Sequence, residues 1–184
     1  QPMDSKDAAL RGLERMLTHP DLCLVLDMSA AQREDKPLLV RRFLEALNRL
    51  RRATGLPHRV VVDEAHYFLN RLDELDLFDR ELGGYLLVTY RISDLSPDIL
   101  SASEAVIVTR VDDRRQALAL LAVAPRGATG SEGLALLADL AIDEAVLLPG
   151  LFESDDSFKR FRIAPRLTSH VRHRHKYADV PVRF

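Results

Sequence analysis

The sequence has no tryptophan and one cysteine, and only 6% of its residues are aromatic. A single cysteine excludes a disulfide framework within the chain. Cys23 lies inside the apolar run LCLVLD, so we predict a small buried hydrophobic residue there rather than a nucleophile. No apolar run approaches the roughly 18 residues of a membrane span, and the basic-then-apolar layout of a signal peptide is missing. We therefore expect a cytoplasmic protein without membrane contact.

Charge of one sign is also lacking. The formal net charge is −2, and the 29% of charged residues are mixed along the chain. No global field favours nucleic acid or a membrane surface, so any such contact must be local. With 184 residues, 47% of them hydrophobic, the chain is long enough for one globular domain with a sizeable core.

What the sequence does contain is an alternation of helical and strand-like segments. Helical spacing appears in Asp7–Leu17, Pro37–Arg52, Tyr67–Phe78, a single turn from Ser96, Asp112–Val123 and Leu134–Leu140. Strand-like runs are Leu22–Asp27, Arg59–Val62, Tyr85–Thr89, Glu104–Thr109, Glu144–Leu148 and Ser157–Ile163. The alternation predicts an α/β fold with a mostly parallel, doubly wound sheet. The last two runs predict a short antiparallel β edge, joined by a turn at Pro149 and Gly150.

The stretch RVVVDEAHYF, residues 59–68, ends a β-branched run in two adjacent acids, Asp63 and Glu64. The carboxyl edge of a parallel sheet is where α/β proteins bind ligands. In P-loop nucleoside triphosphatases the first acid of such a pair holds hydrated magnesium, and the second orients and deprotonates the attacking water. A strand that exits into polar residues capping the next helix is the structural alternative.

Polar residues at other strand ends are weaker candidates. Asp27 lacks a second acid, so we predict that it caps a turn. Thr89-Tyr90-Arg91 would lie beside the acids, where a polar group can sense a terminal phosphate; an ion pair with an acid is the alternative for Arg91. Arg110 is a candidate arginine finger acting on a neighbouring subunit.

Two further motifs are weaker indications of a functional site. The glycine-rich stretch Arg126–Ser131 lacks the lysine of GxxxxGK[ST], a motif found nowhere in the chain, so we predict a surface loop from Pro125 to Gly133. The tail places His170, His173 and His175 among cations, but no acid or cysteine completes a zinc shell. A solvated connector is the preferred interpretation, with phosphate or nucleic-acid contact as the alternative.

Several stretches resemble a known family. VVVDEAHYFL, LLVTYRISDLSPDIL and EAVIVTR, in this order and spacing, are similar to the second half of a HerA/FtsK-type P-loop ATPase domain. LVLDMSA resembles the family's strand between the phosphate loop and the Walker B strand. The tail PRLTSHVRHRHKYADVPV resembles a segment of bacterial proteins that combine such an ATPase region with a HAD-type phosphatase domain.

The resemblance implies an incomplete RecA-like P-loop NTPase sheet over residues 1–164, with 165–184 as a basic connector or the start of a further segment. It implies Mg²⁺ and ATP as cofactors. Asp63 matches the magnesium-binding Walker B acid and Glu64 the catalytic base. Thr89, Tyr90 and Arg91 match a TQR-like stretch, which implies that Arg91 is catalytic and that Thr89 and Tyr90 bind the nucleotide. Tyr90 stands where glutamine usually senses the γ-phosphate.

The function implied is the C-terminal portion of a HerA-like ATPase, of the DNA-motor type, whose partners would be further copies of itself and DNA bound through the parent protein. We expect the phosphate loop to precede Gln1, and the 184 residues alone to bind nucleotide poorly. The alternative is a catalytically inactive regulatory or interaction module with an ATPase fold, attached to a HAD-type phosphatase. Phosphatase chemistry would lie outside this chain, because no DxD motif follows a strand.

Overall fold

A computed structural model describes residues 11–19, 21–69, 77–79, 81–123, 131–148, 158–165 and 167. The helices are α1 (residues 11–17), α2 (Lys36–Thr54), α3 (Ala65–Phe68), α4 (Pro97–Ser101), α5 (Arg114–Val123) and α6 (Ser131–Ala138), with a 3-10 turn at Ile92–Asp94. The strands are β1 (Val60–Val62), β2 (Tyr85–Leu87), β3 (Val106–Val108), β4 (Glu144–Leu148) and β5 (Lys159–Arg162). No helix in these ranges is long and apolar enough to cross a membrane.

Helix α2 confirms the strongest helical pattern of the sequence. Pro37 lies in its first turn, where the missing N–H costs no hydrogen bond. Gly55 ends the helix in the left-handed conformation, with its N–H bonded to the Arg51 carbonyl at 2.8 Å. Val40, Leu44 and Leu47 are buried. Through these residues α2 packs against the first hydrophobic core.

Strands β1 and β2 pair in parallel, with Val60 opposite Tyr85 and Val62 opposite Leu87. Val60 and Val62 are buried in the core that also receives α2 and α3, and Tyr85 and Leu87 pack against it. Parallel pairing between these two segments agrees with the sequence prediction. The strands are shorter than predicted, since hydrogen bonding defines only three residues in each.

The opposite face of this pair is exposed. Val61 and Leu86 are direct neighbours across the pair, and they are 62% and 57% exposed. A doubly wound sheet would bury both faces under helices. In the described part of the chain only one face is covered, so the α/β class holds but the doubly wound arrangement is not confirmed.

A second sheet has the order β3-β4-β5 and is antiparallel throughout. The predicted antiparallel edge formed by β4 and β5 is therefore confirmed. Strand β3 pairs with β4 rather than with the parallel pair, which differs from the predicted mostly parallel sheet. Its Val108 packs with Val146, Leu148 and residues of α5 and α6 in a second core, and this burial accounts for the choice of partner.

The predicted strand at Leu22–Asp27 is wrong. Residues 22–28 form no strand, because no neighbouring segment of the described chain hydrogen-bonds to them as a ladder. Val25 is 84% exposed. Cys23 is exposed rather than buried. The Asp27 carboxylate accepts a 2.8 Å bond from the Ser29 N–H, which confirms its turn-capping role.

Other predictions fall partly outside the described residues. Ser131–Gly133, predicted as loop, begin α6, and the rest of that loop lies in the undescribed range 124–130. The turn at Pro149 and Gly150, the start of the first helix, most of the segment after Phe68 and the histidine-rich tail also lie outside. The domain boundary after residue 164 stays a prediction.

Buried Arg51 joins the end of α2 to the beginning of β2. It is 2% exposed, and its Nη2 donates to the carbonyls of Leu82 (3.1 Å) and Gly83 (2.7 Å). Its guanidinium lies 5.1 Å from the centroid of the Tyr85 ring. Gly83 and Gly84 both have positive φ, 56° and 76°, so the chain enters β2 through a backbone conformation that favours glycine.

Gly84→Ala should destabilise the protein more than Gly83→Ala. Both changes place an alanine in the left-handed region, at about 1–2 kcal/mol. An added Cβ at Gly84 would also lie 3.0 Å from the His58 carbonyl oxygen, whereas at Gly83 it meets nothing within 4 Å. We expect an additional loss of about 1 kcal/mol in the free energy of unfolding, measured by urea denaturation. Equal losses would contradict this.

Glu144 on β4 is the best-paired acid of the second sheet. Arg160 of β5 donates to its Oε2 at 2.5 Å, and the Ala141 N–H donates to the same oxygen at 2.9 Å. The bond from Arg160, followed by that from Ala141, holds the pKa of Glu144 below its ordinary value. Because the folded-state pKa is lowered, this pair stabilises the fold above the unfolded pKa and loses its effect as the pH falls.

Lowering the pH from 6 through the unfolded glutamate pKa of about 4.3, and on through the lower folded-state pKa of Glu144, should therefore remove the stability that its two hydrogen bonds contribute. Glu144→Gln should show a shallower fall in the free energy of unfolding over this range. Arg160→Gln should flatten the profile only in part, because the Ala141 N–H still lowers the pKa of Glu144, and the double variant should match Glu144→Gln. Urea denaturation at a series of pH values checks this, and a Glu144→Gln profile parallel to the wild type would contradict it.

Candidate functional site at the strand ends

The parallel alignment of β1 and β2 brings the two predicted polar groups to one edge. Asp63 and Glu64 directly follow β1, and Thr89 lies two residues after β2. Beyond the strands the pairing continues, because the Val88 N–H donates to the Val62 carbonyl and the Ala65 N–H donates to the Val88 carbonyl, both at 2.9 Å. The acids and the Thr89 segment are thus neighbours.

Glu64 has a strained backbone. Its φ of 53° and ψ of 41° lie in the left-handed region, and it is the one non-glycine residue of the described ranges with positive φ. Such conformations cluster at functional sites, where the surrounding structure holds them. Here the Glu64 N–H donates to the Asp63 Oδ1 at 3.0 Å, and the Glu64 carbonyl accepts from the Tyr67 N–H at 2.9 Å. The Glu64 side chain is 54% exposed, so water reaches its carboxylate.

His66 connects the two strand ends. Its side chain is 9% exposed, and its Nδ1 lies 2.9 Å from the Thr89 Oγ1 and 3.5 Å from the Glu64 Oε2. The imidazole packs edge-on against Tyr90, with centroids 5.0 Å apart and planes at 75°. The sequence predictions gave His66 no role. Its position two residues after Glu64 was the available signal, but only the fold shows the bond to Thr89.

Arg91 and Arg110 are both paired with nearby acids. Arg91 Nη2 lies 2.5 Å from the Asp94 Oδ2, which is the alternative predicted for this residue. Arg110 Nε contacts the Asp112 Oδ1 at 2.9 Å. A role for Arg110 in a neighbouring subunit stays a prediction, as does the catalytic role of Arg91.

A magnesium ion fits Asp63 through its chemistry. No group of three metal-ligating side chains converges in the described ranges. Mg²⁺ does not require such a group, since it keeps several waters and takes one or two carboxylates together with phosphate oxygens. The exposed Asp63 carboxylate makes no ion pair with the described residues, so it is accessible to a hydrated cation.

The sequence matches no protein-family model and no protein of curated function. Among solved structures it is similar to the genome packaging NTPase B204 from Sulfolobus turreted icosahedral virus 2, determined in complex with AMPPCP. The TM-score is 0.54 and the identity 16%; the alignment covers 72% of this chain and 62% of that one. The chain thus spans less than two thirds of the neighbour's length. At this identity the likeness shows that the two chains share a fold, and it shows no more than that.

The strain at Glu64 can be measured. Glu64→Asn should raise the free energy of unfolding by about 1 kcal/mol, because asparagine tolerates the left-handed conformation better than glutamate does. Glu64→Gln is the matched control, since it removes the same charge but keeps the unfavourable backbone preference. Urea denaturation of both variants tests this. An asparagine variant no more stable than the glutamine variant would show that Glu64 stores no such strain.

Proposed function

We propose that this chain is the acid-bearing portion of a P-loop ATPase of the HerA type, and that it takes part in the hydrolysis of Mg-ATP. The observation that carries the proposal is the placement of adjacent Asp63 and Glu64 beside Thr89 on one edge of a parallel strand pair. Carboxyl edges of parallel strands are the ligand-binding edges of α/β sheets. The similarity in fold to a packaging NTPase solved with a nucleotide analogue points in the same direction.

Each residue has a role set by its position. Asp63 would hold Mg²⁺, which when bound neutralises charge on the phosphates. Glu64, with an accessible carboxylate, orients a water molecule and accepts its proton. Thr89 offers a hydroxyl on the side of the terminal phosphate, and Tyr90 lies next to it. Arg91 would compensate phosphate charge after exchanging its pairing with Asp94.

The groups that bind the phosphates would come from outside these 184 residues. The sequence holds no GxxxxGK[ST] motif, and backbone N–H groups and a lysine of that motif supply phosphate binding in P-loop proteins. We therefore propose that catalysis requires a phosphate loop outside these 184 residues. DNA translocation by an oligomer is a further part of the proposal that rests on family analogy alone; a monomer indifferent to DNA would contradict it.

A second candidate function is a nucleotide-dependent regulatory module without turnover, attached to a HAD-type phosphatase. Tyr90 favours it, because this residue, 71% exposed, stands where the resembled family has glutamine. Binding of Mg-ATP without hydrolysis by the full-length gene product would support this candidate. Multiple turnovers would exclude it.

Glu64→Gln in the full-length gene product should lower kcat for ATP hydrolysis by about 10²–10⁴-fold, because the general base is lost. Affinity for Mg-AMPPCP should stay within about threefold, since glutamine keeps the shape of the side chain. The control is Glu45→Gln, a change on α2 where Glu45 pairs with Arg41 at 3.2 Å, which should leave hydrolysis unchanged. Phosphate-release kinetics and calorimetric titration provide the measurements. Wild-type hydrolysis in the Glu64→Gln variant would remove Glu64 from the role of base.

A further inference from the structure

We propose that His66 is a positioning residue that sets the direction of the Thr89 hydroxyl. In this arrangement the imidazole carries its proton on Nδ1 and donates it to the Thr89 Oγ1. The Thr89 O–H is then free to donate to an anionic group at the sheet edge. The identity of that group as a nucleotide phosphate rests on the proposed function, whereas the arrangement of the protons does not.

The hydrogen bonds of Thr89 define two alternatives. A threonine hydroxyl has one donor hydrogen and can accept two bonds. One acceptor position is taken by the Arg91 N–H, 3.0 Å from the Oγ1. The His66 Nδ1, at 2.9 Å, either receives the hydroxyl hydrogen or donates to the remaining lone pair. If Nδ1 donates, the hydroxyl hydrogen of Thr89 is not used by His66 and can be donated to a bound group.

The surroundings of the imidazole favour the second case. The Glu64 Oε2 lies 3.5 Å from the same Nδ1, and a nearby carboxylate attracts a proton to the nitrogen that faces it. An unprotonated Nδ1 would direct its lone pair towards that negative charge. The proton on Nδ1 is therefore shared between a short bond to Thr89 and a longer contact with Glu64.

The ring is held in place from several sides. Its side chain is largely buried, and Tyr90 packs edge-on against it. The backbone just before it is bonded across the strand pair, from the Ala65 N–H to the Val88 carbonyl. His66 thus bridges Glu64 after β1 and Thr89 after β2, so an anion bound by Thr89 is coupled to the acid through one imidazole.

The tautomer can be read from ¹⁵N–¹H long-range correlation spectra of the 184-residue chain, recorded at a pH where the imidazole is neutral. We expect the His66 signals of the Nδ1–H form. In Glu64→Gln the negative charge that faces Nδ1 is lost, and the population should shift towards the Nε2–H form, while Thr89→Ser should retain the wild-type pattern. An Nε2–H tautomer in the wild type would overturn the proposal, and so would an unchanged pattern in Glu64→Gln.

Measurements of kcat in the full-length gene product distinguish a hydrogen-bonding role of His66 from a packing role. His66→Phe keeps a ring against Tyr90 but removes the donor, and kcat should fall about 10–100-fold, as expected for loss of a hydrogen bond to a charged system. His66→Asn, which can place an amide N–H near the Nδ1 position, should restore activity to within about threefold. Wild-type rates in His66→Phe would refute the coupling. If the wild type itself hydrolyses no ATP, the proposed function fails while the tautomer spectra still decide the role of His66.

Discussion

The parallel pairing of β1 with β2 is the constraint on which the candidate site depends. Parallel strands end at the same edge, so His66 and Thr89, which follow them, meet although they are 23 positions apart in the sequence. The pairing continues past the strands through the bonds that join Val88 to Val62 and Ala65. This continuation places the Glu64 carboxylate and the Thr89 hydroxyl on either side of one imidazole. A shift in this register by one residue would exchange the buried and exposed faces of the pair and separate these groups.

The backbone adopts left-handed conformations on both sides of the paired strands, before β2 and after β1. The double glycine before β2 adopts positive φ, and buried Arg51 bonds the carbonyls of Leu82 and Gly83. At the other end of the site, Glu64 occupies a left-handed conformation that its side chain disfavours. The backbone conformation at Glu64 lowers the stability of the fold in a position where the acid is exposed. Strained backbone of this kind clusters at functional sites, which is consistent with the role proposed for Glu64.

The exposed apolar face of the parallel pair separates this structure from a complete doubly wound domain. Val61 and Leu86 lie side by side on it, and parallel sheets of α/β proteins normally bury both faces. The similar packaging NTPase is covered over only 62% of its length. The described strands position Asp63, Glu64 and Thr89. The proposed ATP hydrolysis also needs a phosphate loop, which these 184 residues do not contain.

The sequence by itself determined the elements whose signals are local. The periodic apolar face and terminal glycine of α2, the β-branched run before Asp63, and the antiparallel pair β4–β5 follow from patterning and turn residues. Only the structure decided the pairing of two other runs: the apolar run at Leu22–Asp27 forms no strand and leaves Cys23 exposed, and β3 joins β4 instead of the parallel pair. Strand pairing depends on partners distant in the chain, which no local pattern specifies. The bond from His66 to Thr89 has the same origin, because it exists only when two strand ends are brought together.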